Sequence, residues 1–289
     1  MNDLYITLPS SVRSVVRENT LADYVSELPY TVELWGEWEV ALVDINFTKS
    51  WYNIRKDQFV GIQLNDDQAM RYIKEEPLSA GRYTEEQFIT KLNSLLAAHA
   101  GERVMESLNQ IIKATVERKK RISSFNDLTI DTSPIITLDP ITRKTRVSVV
   151  KEGENVFLPT FGDEIWGVLG FNKTDSTTVI EKNGGRYILG SRAVDFEGGI
   201  YCMYVYSDCV KPSLIGDISA PCLRVCALPT EKKFGDNCAI SFQTPCYYSI
   251  SNRRFKSIRI TLKDKTNKKM PFQFGETLVK LHFRKKHVY

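Results

Sequence analysis

The segment Val32–Phe47, "VELWGEWEVALVDINF", repeats with a period of two. Val32, Leu34, Trp38, Val40 and Leu42 fall on one side of an extended chain, and Glu33, Glu37 and Glu39 on the other. Successive strand residues point to opposite faces, so this alternation predicts a half-buried strand. Beyond Leu42 the apolar set changes parity, to Val43, Ile45 and Phe47. That change predicts a bulge, or a strand end buried on both faces. Gly36 marks a tight bend or a close backbone approach. Trp38 is in phase with Val40 and Leu42, which assigns all three to a core. Trp35 lies on the carboxylate face, and Trp51 and Tyr52 follow the strand's far end. These three are candidate subunit contacts, because aromatic residues are enriched in interface cores.

Short period-two runs recur along the chain: Leu4–Leu8, Phe59–Leu64, Ala69–Glu75, "DLTIDTSPIITLD", "TRVSVV", "CLRVCAL", "CAISF", "FKSIRITL" and "TLVKLHF". "GGIYCMYVYSDCV" is nearly continuous in apolar residues, as a central strand would be. Gly216-Asp217 supplies a turn, and "GGRYILGSR" reads as a turn between strands. The polar stretch "SSVRSVVRENTLADYVSEL" reads as an arm or a long connection. One region has a different period. Thr84 and Gln87 form a capping-box pattern ahead of the stripe Phe88, Leu92, Leu95, Leu96 and His99. A second helical pattern, Val104 to Thr115, ends in "ERKKR", and "DEIWGVLGF" reads as a helical turn capped near Gly170. No βαβ alternation, internal repeat or linker divides the chain. The expectation is an antiparallel sandwich or barrel with a helical insertion around 83–121.

The chain's 289 residues suffice for a large core without staples. Its 39 basic and 35 acidic residues leave only +4, well mixed, whereas a nucleic-acid binder shows a clustered excess. The start, "MNDLYITLPS", lacks the basic and apolar regions of a signal peptide, and no apolar stretch approaches the ~20 residues of a membrane span. This predicts synthesis in the cytosol without secretion by signal peptide. All six cysteines lie between Cys202 and Cys246 and read as free, buried thiols. Cys222 and Cys226 would share one strand face at about 13 Å, too far for a disulfide.

No catalytic, cofactor-binding or metal-binding set emerges. His99, His282 and His287 lack metal spacing, and no HExxH, paired CxxC, phosphate loop or GxSxG occurs. The expectation is a protein without enzyme activity, cofactor or metal. The last residues, 284–289, carry Arg284, Lys285 and Lys286. They read either as a solvated tail or as one facing packaged DNA.

Several segments resemble the minor capsid (penton) proteins of Polinton/Maverick elements and their adintovirus relatives. "LPYTVELWGEWEVALVDINFTKSWYNI" resembles that family's "LP-x-x-x-ELxGEWEVALxEIxxxxxWYN". "YTEEQFITKLN" resembles its short helix, and "IWGVLGF" its LGF turn. "YVYSDCVKPSLIGDISAPCLRV" resembles "YVYCDIVxPxxVGDxxxPLLRxV", and the end of the chain resembles "FxxIxIxIxDxxGxxVPFxxGxxxVxLHFR". The likeness is weak over 100–160 and 176–198. Asn267 and Lys268 stand where the family's turn often has glycine, and the 102–121 helix reads as this chain's own insertion. The resemblance implies a single jelly roll over 29–289, preceded by an N-terminal strand and arm over 1–28. It also implies a structural subunit of the virion capsid: a homopentamer at the vertices, beside a major double jelly-roll capsid protein. The alternative is a monomeric jelly-roll binding module for a receptor or glycan, or a domesticated element-derived protein.

Overall fold

The computed structural model describes residues 3–15, 17–66, 69–96, 136–148, 150–152, 155–172, 179–182 and 185–286. The chain forms two compact units, Met1–Tyr52 with Gly199–Tyr289, and Asn53–Gly198.

The first unit is a sandwich of two antiparallel sheets. Its eight principal strands are β1 (Asp3–Pro9), β2 (Asp23–Glu33), β3 (Trp38–Thr48), β12 (Cys202–Ser207), β15 (Cys222–Ala227), β16 (Asn237–Ser241), β18 (Arg254–Lys263) and β19 (Thr277–Lys285). Sheet one runs β1-β19-β3-β16, with the short β17 (Tyr248–Ser249) also paired to β3; sheet two runs β15-β12-β18-β2. Counted one to eight along the chain, the orders are 1-8-3-6 and 5-4-7-2. First pairs with eighth, second with seventh, third with sixth and fourth with fifth. A long hairpin wrapped around itself gives that pairing, and it is the jelly-roll arrangement of two Greek keys. The fold is therefore mainly β, a jelly-roll sandwich.

Strand β3 explains the change of parity. Asp44 faces Lys280 and Leu42 faces Leu281, so Val43 is an extra residue opposite β19. This bulge returns Ile45 and Phe47 to the side of Val40 and Leu42, and all four are buried in one core. Trp38 lies in the same core. β12 is an interior strand of its sheet, as its apolar run requires.

The open edge of β2 is covered by the chain's own connection. The Asn19 side-chain amide donates to the Val25 carbonyl at 2.9 Å and its oxygen accepts from the Val25 N–H at 2.9 Å, in the manner of a neighbouring strand. Val15 N–H bonds Glu27, and Ser10 bonds Thr277. Of the two readings of this stretch, an arm or a long connection, the structure shows the connection, folded onto its own sandwich between β1 and β2.

The second unit contains β4 (Gln58–Asp66), β5 (Ala69–Leu78), β6 (Ile136–Leu138), β7 (Lys144–Ser148), β8 (Val150–Glu152), β9 (Asn155–Phe161), β10 (Ile180–Lys182) and β11 (Gly185–Ala193). They form two four-stranded sheets, β5-β4-β9-β8 and β10-β11-β7-β6. Helix α1 (85–96) and helix α2 (Asp163–Val168) contribute Phe88, Leu92, Leu96 and Ile165 to its separate core. Thr84 N–H donates to Gln87 Oε1 at 3.1 Å and Gln87 N–H to Thr84 Oγ1 at 3.2 Å, which completes the capping box. After α2, Gly170 (φ 82) lets its N–H reach Gly167 O and the Phe171 N–H reach Trp166 O, the paired bonds of a Schellman end.

The domain expectation changes accordingly. The insertion spans 53–198, far more than 83–121, and its described residues are largely β. The segment "GGRYILGSR" is mostly strand β11, not a turn. The expected 102–121 helix, "ERKKR", His99 and His287 lie outside the described residues. Among those described, no helix is long and apolar enough to cross a membrane.

Candidate assembly surfaces

The tryptophan segment divides sharply by exposure. Trp38 is 6% exposed and Trp51 1%, whereas Trp35 is 81% exposed. Trp51 lies among Phe47 and Phe272, with ring centroids at 6.4 and 6.0 Å. It is a core residue, and its expected place at a subunit contact is corrected. It was missed because one aromatic beyond a strand end carries no periodicity.

Trp35 sits on a held turn between β2 and β3. Gly36 takes φ 96, a conformation that glycine adopts without strain. Leu34 N–H donates to Arg253 O at 2.8 Å, Lys286 N–H to Glu37 O at 2.8 Å, and the Trp38 indole N–H to Trp35 O at 3.0 Å. Glu37 also pairs with Arg253 at 2.5 Å. The backbone is anchored on three sides while the Trp35 indole stands in water. Large rigid aromatics of this kind are the residues that anchor interfaces.

The same end of the sandwich carries a hairpin of β13 (Ser213–Ile215) and β14 (Ile218–Ala220). It follows Cys209–Lys211, which bond Ser249 and Ser251 beside the Trp38–Ile250 contact. Leu214 is 83% exposed at the hairpin, and Gly216 turns it with φ 60. No periodic signal marked these residues as a surface.

Tyr52 is half-buried and lies 5.8 Å from Phe234, which meets Phe274 edge-on at 5.5 Å. Phe234 and Phe274 are partly exposed, so Tyr52 belongs to an aromatic trio at the surface.

The basic end of the chain is strand, not free tail, through Lys285. Arg284 bonds Glu39 at 2.6 Å and stacks on Tyr247 at 3.4 Å. Lys285 passes under Gly36. Alongside, His282 stacks on Tyr5 at 4.2 Å, and its Nδ1 is 2.8 Å from the Tyr247 hydroxyl. Burial pushes its pKa down, with Arg284 adding to this and Asp3 opposing it.

Sheet two carries a concentrated charge site. Asp23 is 1% exposed and receives Arg17 at 2.7 Å, Arg259 at 2.9 Å and Lys269 at 2.7 Å. Burial opposes ionisation, but hydrogen bonds from Arg259, Arg17 and Lys269 outweigh it and hold the carboxyl well below the usual range.

All six thiols are free; four are buried and Cys246 is exposed. Burial pushes Cys209 and Cys226 up to about 12. Cys222 does not share a face with Cys226 as expected. The register shifts at Leu223, so that Leu223 and Cys226 enter the core while Cys222 does not. Among the described residues, no group of three His, Cys, Asp or Glu could hold a metal ion.

No protein-family profile matches the chain, and no curated protein matches it. Among solved structures it is similar to the mavirus penton protein, at 11% identity and TM-score 0.49, over 98% of this chain and 99% of that one. It is also similar to a chain of the Sputnik virophage, at 11% identity and TM-score 0.47, over 99% of this chain and 98% of that one.

Proposed function

We propose that the protein is a structural, non-enzymatic subunit of an icosahedral capsid, closing into a homopentamer at each vertex beside a major double jelly-roll shell protein. The observation that carries the reading is where the family resemblance falls on the fold. "ELWGEWEVALVDINF" covers the end of β2 and all of β3. "YVYSDCVKPSLIGDISAPCLRV" runs from β12 through the β13–β14 hairpin into β15. "FKSIRITL" and "TLVKLHFRK" are β18 and β19. The stretches where the resemblance is weak, 100–160 and 176–198, belong to the inserted unit. The resemblance therefore covers most of the jelly-roll strands, and within the inserted unit it is confined to "YTEEQFITKLN" at helix α1 and "IWGVLGF" at helix α2.

A ring of identical subunits needs two different patches on each copy, in a heterologous contact that closes. Trp35 on its anchored turn suits one of them, and the Tyr52–Phe234–Phe274 trio suits another. Each contact is expected to bury on the order of 1,000 Å² or more. A glycan-binding module would instead present a pocket with exposed aromatics. Two hollows on the sandwich, about 410 and 520 Å³, contain Phe272 and Phe47, neither of them exposed.

Light scattering of the purified protein, alone and mixed with the major shell protein, tests the reading. The expected result is a closed oligomer whose formation Trp35→Ala weakens at least tenfold. A strict monomer in both settings overturns it.

A further inference from the structure

We propose that the outer face of sheet two, along β18, is a docking surface for the phosphodiester backbone of DNA. The core side of β18 is Phe255, Ile258, Ile260 and Leu262. Its other side presents Arg254, Lys256, Arg259 and Lys263, and the turn that follows adds Lys265 and Lys268.

Arg254 is committed to Glu33 at 3.1 Å and Arg259 to Asp23 at 2.9 Å. Among the described residues, no ion pair joins Lys256, Lys263, Lys265 or Lys268 to a carboxylate. Lys263 bonds only the neutral Asn267 side chain, at 2.8 Å, and lies 5.2 Å above the Tyr206 ring. The opposite outer face is balanced. There Lys280 and Arg284 are each matched, by Asp44 and Glu39, with Asp3 beside them. Four lysines without a carboxylate partner thus lie on and just after β18, beside the paired Arg254 and Arg259, although the whole chain carries only +4.

One neighbouring feature suits a phosphodiester backbone. Tyr204 and Tyr206 stack at 6.5 Å beside the cation row and offer hydroxyl donors. Lysine and tyrosine contacts to phosphate fix a protein on a duplex without reading its sequence. The surface is distinct from Lys285 and Lys286 at the chain's end, and the inference does not require a capsid role.

The test is fluorescence anisotropy with a labelled duplex of about 30 base pairs, across a salt series. Wild type is expected to bind, with affinity falling as salt rises. The variant K256Q/K263Q/K265Q/K268Q, which breaks no ion pair, is expected to bind at least tenfold more weakly, with a salt slope smaller by about 2 to 4. K285Q/K286Q is expected to bind within about threefold of wild type, since its side chains lie outside the proposed surface. No binding at about 50 mM salt overturns the proposal. So does unchanged affinity in the quadruple variant, or a loss confined to the K285Q/K286Q variant. Competition by polyglutamate as strong as by DNA at equal charge also overturns it, in favour of an acidic protein surface. Light scattering of the same samples separates the two readings. A protein that binds DNA through β18 but stays a monomer both alone and with the major shell protein ends the vertex reading alone, and a ring without DNA affinity ends this one alone.

Discussion

Asp23 shows how one residue can carry more of a fold than its size suggests. Its carboxylate is buried, and three cations from different segments converge on it: Arg17 from the β1–β2 connection, Arg259 from β18 and Lys269 from the turn before β19. Removing one partner of such a site strands the rest, and Asp23→Ala is expected to cost about 3 kcal/mol. The pH dependence has a definite sign. The folded state holds this carboxyl below its ordinary range, so the unfolded chain takes up the proton first as pH falls. The stabilisation is complete above about pH 5 and drains away at lower pH. Urea midpoints measured between pH 7 and pH 3 should fall in wild type, with a flatter acid limb in Asp23→Asn. An identical acid limb in both proteins would remove Asp23 from the account. None of this was legible in the sequence. The partners lie 6, 236 and 246 positions away, and only the fold brings them together. Trp38, Val40 and Leu42 were legible because their strand alternates, while Trp51, outside any alternation, is placed by packing alone.

Among the elements, those with local causes were legible and those with distant partners were not. The parity change at Val43, the Thr84–Gln87 capping box and the Gly170 helix end each depend on neighbours within a few residues, and each is present. Strand β11 was misread because its glycines suggested a turn, yet its pairing with β7 and β10 decides its form. The turn after β18 is instructive, because this chain has Asn267 at a position where a turn could also use glycine. Asn267 adopts φ 63, in the left-handed region that asparagine tolerates better than most residues. Asp264 braces the turn by accepting from the Thr266 and Lys268 N–H groups at 2.8 and 3.1 Å. The chain thus keeps the backbone that glycine would supply. Asn267→Gly is expected to stay within about 0.5 kcal/mol of wild type, and Asn267→Val to lose about 1–2 kcal/mol, both read from thermal or urea midpoints. Equal stability of the two variants would show that the turn imposes no such conformation.

At the scale of the whole molecule, the jelly roll is interrupted between its third and fourth strands by a unit that has its own sheets and core. The first boundary carries no mark in the sequence, and the second only the Gly198-Gly199 pair. The inserted strands share the period of the sandwich strands, and Trp51-Tyr52-Asn53 has none of the Pro, Gly or Ser content of a linker. The insertion is tolerated because its two ends meet. The Asn53 amide bonds Tyr83 O at 2.9 Å and Phe196 O at 3.3 Å, and Arg55 bonds Gly198 O at 3.0 Å. A Cβ placed on Gly198 would come within 3.4 Å of the Asn53 Cα. The sandwich therefore sees the insertion as a closed loop, whose length matters little to the strands on either side. The two cores share no residue, so each unit is expected to keep most of its stability alone. Joining residues 1–52 to 199–289 through a Gly-Ser linker of about four residues, at up to ~3.5 Å each, spans the gap easily. The shortened chain is expected to give an antiparallel-β circular dichroism spectrum and one cooperative unfolding transition, where the full chain gives two. A shortened chain that is unfolded at neutral pH, or a full chain that melts in a single calorimetric step, would mean that the units depend on each other and that the sandwich does not stand by itself.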